Sequence, residues 1–283
     1  MRIAYLSTAY HTSHILNKIV KAEWKLFSTG VEIIKAFKEK KVDLAYVGLT
    51  PVIYAKNCGL EVFCVAGGHV EGTVIAGRTD EKFPECLEKK KVGTLARGTI
   101  HDVILRSVDA NFEIVNYPYA EILLNDFIDH KIDFVCGTPN LVVLAEKYGA
   151  KIVCKPKKLW PWNPSYGIVV AKNFYEENKD KIVDFLIKHE WATNLLREAK
   201  NFALKKIYES FKGDLRIKEI EKIVEVSPKY CASLPEKYVE STLRLASFMR
   251  EIGYIEKVPS EDEIFDLSLI NEIHPQKEHY SSK

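Results

Sequence analysis

No charge of one sign is in excess: 41 Lys and Arg stand against 39 Asp and Glu, leaving +2 over 283 residues. That balance argues against nucleic acid as the partner, because a duplex binder gathers a strong basic excess on one face. Gly (14) and Pro (11) are too few for collagenous or proline-rich architecture. No run approaches the ~18 apolar residues of a membrane span, so direct membrane insertion is not expected. The opening MRIAYLSTAYHTSHIL lacks the apolar core of a secretory leader, since Ser7, Thr8, His11 and Thr12 interrupt it. As it stands the sequence reads as cytoplasmic, and as extracytoplasmic if a leader was removed ahead of Met1. The six cysteines form no CxxC pair, which excludes a zinc ribbon or a thioredoxin motif. Cys64 and Cys154 sit in apolar strand-like runs and read as reduced core residues. No Gly-x-Ser-x-Gly, Walker A or HExxH motif is present. What remains is an ordinary globular composition, 47% hydrophobic and 28% charged, long enough for two lobes with cores of their own. Scarce Met beside abundant Lys, Glu and Ile is a thermophile-like bias.

An internal repeat organises the chain. KVDLAYVGLTPVIYAKNCGLEVFC (41–64) aligns without a gap on KIDFVCGTPNLVVLAEKYGAKIVC (131–154) at an offset of 90. Lys41, Asp43, Val52, Ala55, Gly59 and Cys64 meet Lys131, Asp133, Val142, Ala145, Gly149 and Cys154. An ungapped register in which pattern and punctuation agree indicates a duplicated structural unit.

Within each unit short apolar strands alternate with helical patterns, which predicts parallel α/β lobes. Strands are expected at 2–6, 24–27, 42–47 and 60–65, with helices at 13–22, 31–40 and from Pro51 to a Gly59 stop. The second unit repeats this with strands at 91–95, 112–117, 132–136 and 151–154 and helices at 99–107, 119–130 and 139–148. Thr50-Pro51 and Thr138-Pro139 read as cap-plus-proline helix starts. GTVIAGR (72–78) and YGIVVAK (166–172) read as two strands crossing between the lobes as a hinge. A Lys/Glu-rich helical tail should complete the first lobe, and residues 274–283 look frayed. The expected division is residues 1–74 with 170–283 as lobe 1 and 75–169 as lobe 2.

The segments VEIIKAFKEKKVDLAYVG, TPVIYAKNCGLEV, KVGTLARGTIHDVILR and PSYGIVVAKNFYEENKDKIVDFL resemble the NMT1/THI5-like and SsuA-like solute-binding proteins of ABC transporters. Lys40-Lys41 replaces that family's glycine before Val42-Asp43. The resemblance implies the type II periplasmic-binding-protein fold: two duplicated three-layer α/β lobes, two crossover strands and a helical C-terminal extension. It also implies a monomer that closes on a small anionic or heteroaromatic solute of sulfonate, nitrate or thiamine-precursor type, with an ABC permease as partner. The alternative is a cytoplasmic enzyme or sensor on the same fold. Thiamine pyrimidine synthases are similar in these segments, but their Lys and His would fall on Val47 and Pro51, and KKLWPWNPSYG lacks their cysteines. Proteins resembling chorismate dehydratase are the other enzymatic branch; in any enzyme on this fold His11, His69 or Glu71 would be the acid/base candidate in the closed cleft.

In such lobes the ligand end is the carboxyl edge of the strands, where helix N-termini offer free N–H groups. The candidates are Thr8, Ser28, Thr29 and Thr50 in the first lobe and Thr138 in the second; Ser28, Thr50 and Thr138 are also readable as helix caps. Arg97-Gly98-Thr99 is the sharpest group, with a full charge, a backbone open to close approach and a cap. Tyr119 starts the next helix. His11 pairs with His101 at the repeat offset, and His69 is placed in a Gly67-Gly68-His69 turn. Trp162, in Trp160-Pro161-Trp162, is either an aromatic wall or hinge packing. No catalytic residue, cofactor or metal site is expected.

Overall fold

The computed structural model describes residues 1–211 and 213–280. The first unit runs β1 (Arg2–Leu6), α1 (Ser13–Leu16), β2 (Glu23–Phe27), α2 (Gly30–Lys38), β3 (Leu44–Val47), α3 (Leu49–Asn57) and β4 (Val62–Val70). The second runs β5 (Val74–Gly77), β6 (Lys91–Leu95), α4 (Ile100–Arg106), β7 (Glu113–Tyr117), α5 (Ala120–Ile128), β8 (Phe134–Gly137), α6 (Pro139–Glu146) and β9 (Lys151–Cys154). Short α7 (Pro156–Leu159) leads into β10 (Pro164–Ala171). The tail holds α8 (Lys172–Glu177), α9 (Lys179–Glu198), α10 (Lys200–Phe211), α11 (Ile217–Val226), α12 (Glu236–Glu251), α13 (Glu261–Ile264) and α14 (Ser268–Ile273).

The sheets are ordered β2-β1-β3-β10-β4 and β7-β6-β8-β5-β9. The orders are equivalent, with a crossing strand fourth in each. The expectation of purely parallel lobes needs correction, because β10 is antiparallel to β3 and β4, and β5 to β8 and β9. Each crossing strand arrives from the other lobe rather than through a βαβ connection, so no preceding helix sets its direction. The duplication extends to single residues. The Asp43 and Asp133 carboxylates accept from the backbone N–H of Arg2 and Lys91. Left-handed residues recur at Lys40 and His130 and at Gly59 and Gly149.

All of β10 pairs in the first sheet, so the return crossing lies in residues 155–163, ahead of the expected boundary at 169. The outward crossing is residues 71–73. The two are tied together: Glu71 N–H donates to Asn163 O at 2.8 Å, and Trp162 N–H donates to Glu71 Oε1 at 3.2 Å. Glu71 and Trp162 both have positive φ, 62° and 64°.

Three local expectations differ from the structure. The first helix stops at Leu16, because Asn17 and Lys18 turn to bond Ser210 and Glu209 on α10. β4 continues through Gly67, Gly68 and His69 rather than turning there. A Cβ on Gly68 would lie 2.1 Å from the Tyr166 ring, and one on Gly67 would lie 2.2 Å from the Tyr280 hydroxyl. The glycines thus mark close approach, not a turn. Gly68→Ala is expected to cost ~1–3 kcal/mol by overpacking, read as a lowered urea midpoint with an unchanged slope. The end of the tail is also ordered, with His274 and Tyr280 buried; residues 281–283 lie outside the described ones.

The larger hydrophobic core belongs to the first lobe and takes in Ile100, Val103 and Ile104 of α4 and Val143 of α6. The second lobe has two smaller clusters, containing Val135 in one and Phe134 with Cys136 in the other. The tail does not serve the first lobe alone. Lys147–Glu219 and Lys222–Glu146 ion pairs, both 2.7 Å, join α11 to α6. Burial works against the Glu219 charge, yet Lys147 and Arg216 hold its carboxyl down at about 2.

Candidate functional site

The carboxyl edges of β1, β2, β3, β6 and β8 face one cavity of about 420 Å³ between the lobes. Four helices of eight or nine residues begin at its wall. Thr29 caps α2 by accepting from Glu32 N–H at 3.2 Å, and Thr138 caps α6 by accepting from Leu141 N–H at 3.4 Å. Gly48 precedes α3, and Ala120 and Glu121 open α5. Caps 29 and 119, and 48 and 138, are each 90 apart, so the repeat places two helix starts per lobe around one space. Free N–H groups and the positive helix ends therefore converge there.

Among the expected residues, Thr8, His11, Ser28, Thr29, Thr99 and Thr138 line the cavity, and the other six do not. Thr50 is not a cap, because α3 starts at Leu49 with Gly48 as its N-cap. Pro51 then takes the third helical position, where its missing N–H would be unpaired anyway. The Thr50 hydroxyl is buried without a partner. His69 is sealed behind Tyr10, with Nε2 2.6 Å from Ser227 O. Arg97 turns outward and lies over the Tyr254 ring at 4.7 Å, and it borders a shallow depression with Arg106 instead. Gly98, at φ 86°, serves its own loop by donating N–H to Asp102 Oδ2 at 3.0 Å. Tyr119 is 43% exposed, leaving the wall to Ala120. Trp162 packs on Tyr280 beside Lys237, so the hinge-packing alternative holds for it.

The inner surface is apolar, with Leu6, Leu95, Ile100, Leu124, Leu141 and Leu144 among its residues. His11 and His101 line it from opposite lobes. His11 packs against Tyr166 at 4.1 Å, and its Nδ1 is buried without a hydrogen-bond partner. His101 Nδ1 lies 3.0 Å from Thr73 Oγ1. Burial holds both rings neutral, His101 down at about 4 and His11 well below the usual imidazole range. No Lys or Arg lines the cavity among the described residues; the charges are exposed Glu121 and Asp214.

Asn140 on α6 was not anticipated. It reaches across the cleft, accepting from Ala9 N–H at 3.2 Å and donating to Ser7 O at 3.1 Å. Phe211 and Leu215, flanking the α10–α11 connection, also close the space. His101 was marked by its register with His11. Nothing local marks Phe211 or Leu215, which arrive through the packing of the tail. No helix is long and apolar enough to cross a membrane, and no group of three or more His, Cys, Asp or Glu fit to hold a metal occurs among the described residues.

No family model matches the chain, and neither does any curated protein, so the NMT1/THI5-like branch has no family match behind it. Solved structures do match. The alkanesulfonate-binding protein SsuA from Xanthomonas axonopodis pv. citri, bound to MOPS, superposes with a TM-score of 0.78 at 14% identity, covering 94% of this chain and 97% of that one. The ligand-binding component of an ABC-type import system from Staphylococcus aureus, with zinc bound, gives 0.80 at 16% identity over 98% and 99%. The periplasmic nitrate-binding protein NrtA from Synechocystis PCC 6803 gives 0.77 at 10% identity over 97% and 88%. With duplicated mixed sheets, two crossing strands and a helical tail, this chain has the two-lobed type II periplasmic-binding-protein fold of those solute-binding proteins.

Proposed function

We propose that the chain is a solute-binding protein that closes on one small organic molecule, with a single anionic head on an apolar ring-sized body, and delivers it to an ABC permease. The observation that carries this reading is the convergence of four helix N-termini, two from each lobe, on one interlobe cavity with an apolar interior. Oriented N–H groups suit one negative charge without a basic side chain. Glu121 and Asp214 oppose a second charge. Nitrate alone would leave most of about 420 Å³ unfilled, whereas an organic sulfonate fills it. MOPS, the molecule held by the Xanthomonas protein, joins a heterocycle to a sulfonate and is a suitable probe.

Calorimetry with MOPS, nitrate and uncharged 1,4-dioxane tests the reading. MOPS is expected to bind and the other two to give no comparable heat. Ala120→Trp, which places a large side chain in the cavity, should weaken MOPS by about tenfold or more. Arg97→Ala should leave the affinity within about twofold, since its charge lies outside the cavity in exposed solvent. MOPS should also slow amide exchange on both sides of the cleft, around Thr29 and Thr138, and in α11, which spans the lobes. Failure of MOPS and a series of other organic sulfonates to bind would overturn the ligand class. Protection confined to one lobe would overturn closure.

A further inference from the structure

A second constellation lies away from the cleft. Cys231 is in the connection between α11 and α12, His274 follows α14, and Glu190 is on α9. Cys231 Sγ is 3.7 Å from His274 Nε2, and His274 Nδ1 is 2.9 Å from Glu190 Oε1. The order is thiol, imidazole, carboxylate, the arrangement that activates a sulfur nucleophile. Two more groups surround the sulfur: the Ser233 hydroxyl at 3.0 Å and the His279 N–H, which donates at 3.5 Å. Asn194 Nδ2 donates to Glu190 Oε1 at 3.3 Å, while Glu190 Oε2 is buried without a partner. Such a sulfur is better matched as an acceptor than as a thiol donor.

The cluster is closed by the C-terminal segment. Tyr280 donates its hydroxyl to Cys231 O at 2.5 Å and Ser233 O at 3.0 Å, and its ring packs on Trp162 of the return crossing at 5.8 Å. Cys231 is fully buried, whereas Cys58 is exposed. The other titratable groups facing the cluster are His279, edge-on to His274 at 5.0 Å, His189 beside Glu190, and Arg197, whose Nη1 donates to Tyr230 O; Glu198 pairs with Arg197. Burial disfavours both charges, yet Cys231 and Glu190 hold His274 up at about 10, and His274 and Ser233 bring the Cys231 thiol down.

We propose that Cys231 is a modification site, a thiolate paired with the His274 imidazolium that attacks small electrophiles and hydroperoxides when residues 275–280 lift, and that its modification keeps this segment off the hinge. With a hydroperoxide, sulfur attacks the outer oxygen; the S–O bond forms as the O–O bond breaks, giving a sulfenic acid. The leaving alkoxide takes the imidazolium proton and departs as the alcohol, so sulfur is oxidised by two electrons and the peroxide reduced.

The charge state is read on the folded wild type from the ultraviolet thiolate band, with Cys231→Ser subtracted. The band is expected to be present already at about pH 6.5, where an ordinary thiol is almost wholly protonated, and to move above about pH 8 in His274→Gln. Access is read by iodoacetamide and by hydrogen peroxide, with Cys58 as the internal reference. Tyr280→Ala, or Tyr280→Phe if that variant does not fold, should speed Cys231 alkylation. Its rate should vary less than about threefold between pH 6 and 8.5, against roughly a hundredfold for an ordinary thiol. Modified wild type should show faster amide exchange at residues 275–280. A Cys231 band that appears only above about pH 8, no labelling in either Tyr280 variant, or unchanged exchange after modification would each overturn the proposal.

Discussion

Lowering the pH from about 7.5 to about 5 is expected to unfold this protein, because it buries five neutral histidines. Burial holds His14, His101 and His189 down at about 4 and His69 at about 3, with His11 lower than the usual imidazole range as well. Each is a base with a depressed folded-state pKa, so below about 6.5 the unfolded chain takes up protons that the folded chain refuses. The stabilisation is complete above that value and is lost as the pH falls towards 4. At about pH 5 one such group forfeits ~2 kcal/mol, and four forfeit ~8 kcal/mol, against a typical total of ~5–15 kcal/mol. His274 acts in the opposite direction. Held at about 10, its contribution is complete below the ordinary value and fades as the pH rises through 10. The Cys231 thiol, brought down by the same pair, loses its contribution on acidification, so the pair does not offset the acid-side loss. Urea midpoints between pH 5 and 7.5 measure this, and His189→Gln should reduce the slope by about one proton. A total change under ~3 kcal/mol would show that these rings are not held neutral.

Asp102→Ala should be the most damaging single change at the lobe junction, at ~3–5 kcal/mol. The carboxylate is fully buried and serves four donors. Oδ2 accepts from Gly98 N–H at 3.0 Å and from the Tyr254 hydroxyl at 2.6 Å. Oδ1 accepts from Arg106 at 3.0 Å and from Asn116 Nδ2 at 2.9 Å. Removing it strands the Arg106 charge and frees the α4 start, at whose cap Thr99 meets the cavity. It also cuts the tie to Tyr254, which follows α12 in the tail. Tyr254→Phe removes only that tie and should cost ~1.5–3 kcal/mol, the range for a hydrogen bond to a charged group. Both variants should expand the ligand-free protein in small-angle scattering, Asp102→Ala more. An Asp102→Ala protein with wild-type stability and radius would show that the junction does not hold the lobes together.

The repeat was legible because a duplicated unit carries its own punctuation. Gly59 and Gly149, Asp43 and Asp133, and His11 and His101 recur at one offset, and the structure puts each pair in equivalent places. The same register would have corrected Thr50, since position 138 pairs with Gly48. Hydrophobic alternation placed the strands, and their carboxyl edges pointed to Thr8, Thr29, Thr99 and Thr138, because local backbone geometry decides where a helix starts.

Side-chain direction was not legible in this way. Arg97 looked like the anion's partner from its neighbours, but Tyr254, 157 positions later, draws its guanidinium away from the cavity. His69 looked like a turn residue, but Tyr166 and Tyr280 needed the glycines before it. The direction of β5 and β10, the reach of Asn140 across the cleft and the meeting of Cys231, His274 and Glu190 depend on contacts between segments far apart in the chain. Periodicity and capping act over a few residues, so the sequence by itself determined the elements, their duplication and the edge at which a ligand would sit. Which side chains face that ligand, and which are spent joining the lobes, was decided only when the tail packed across both.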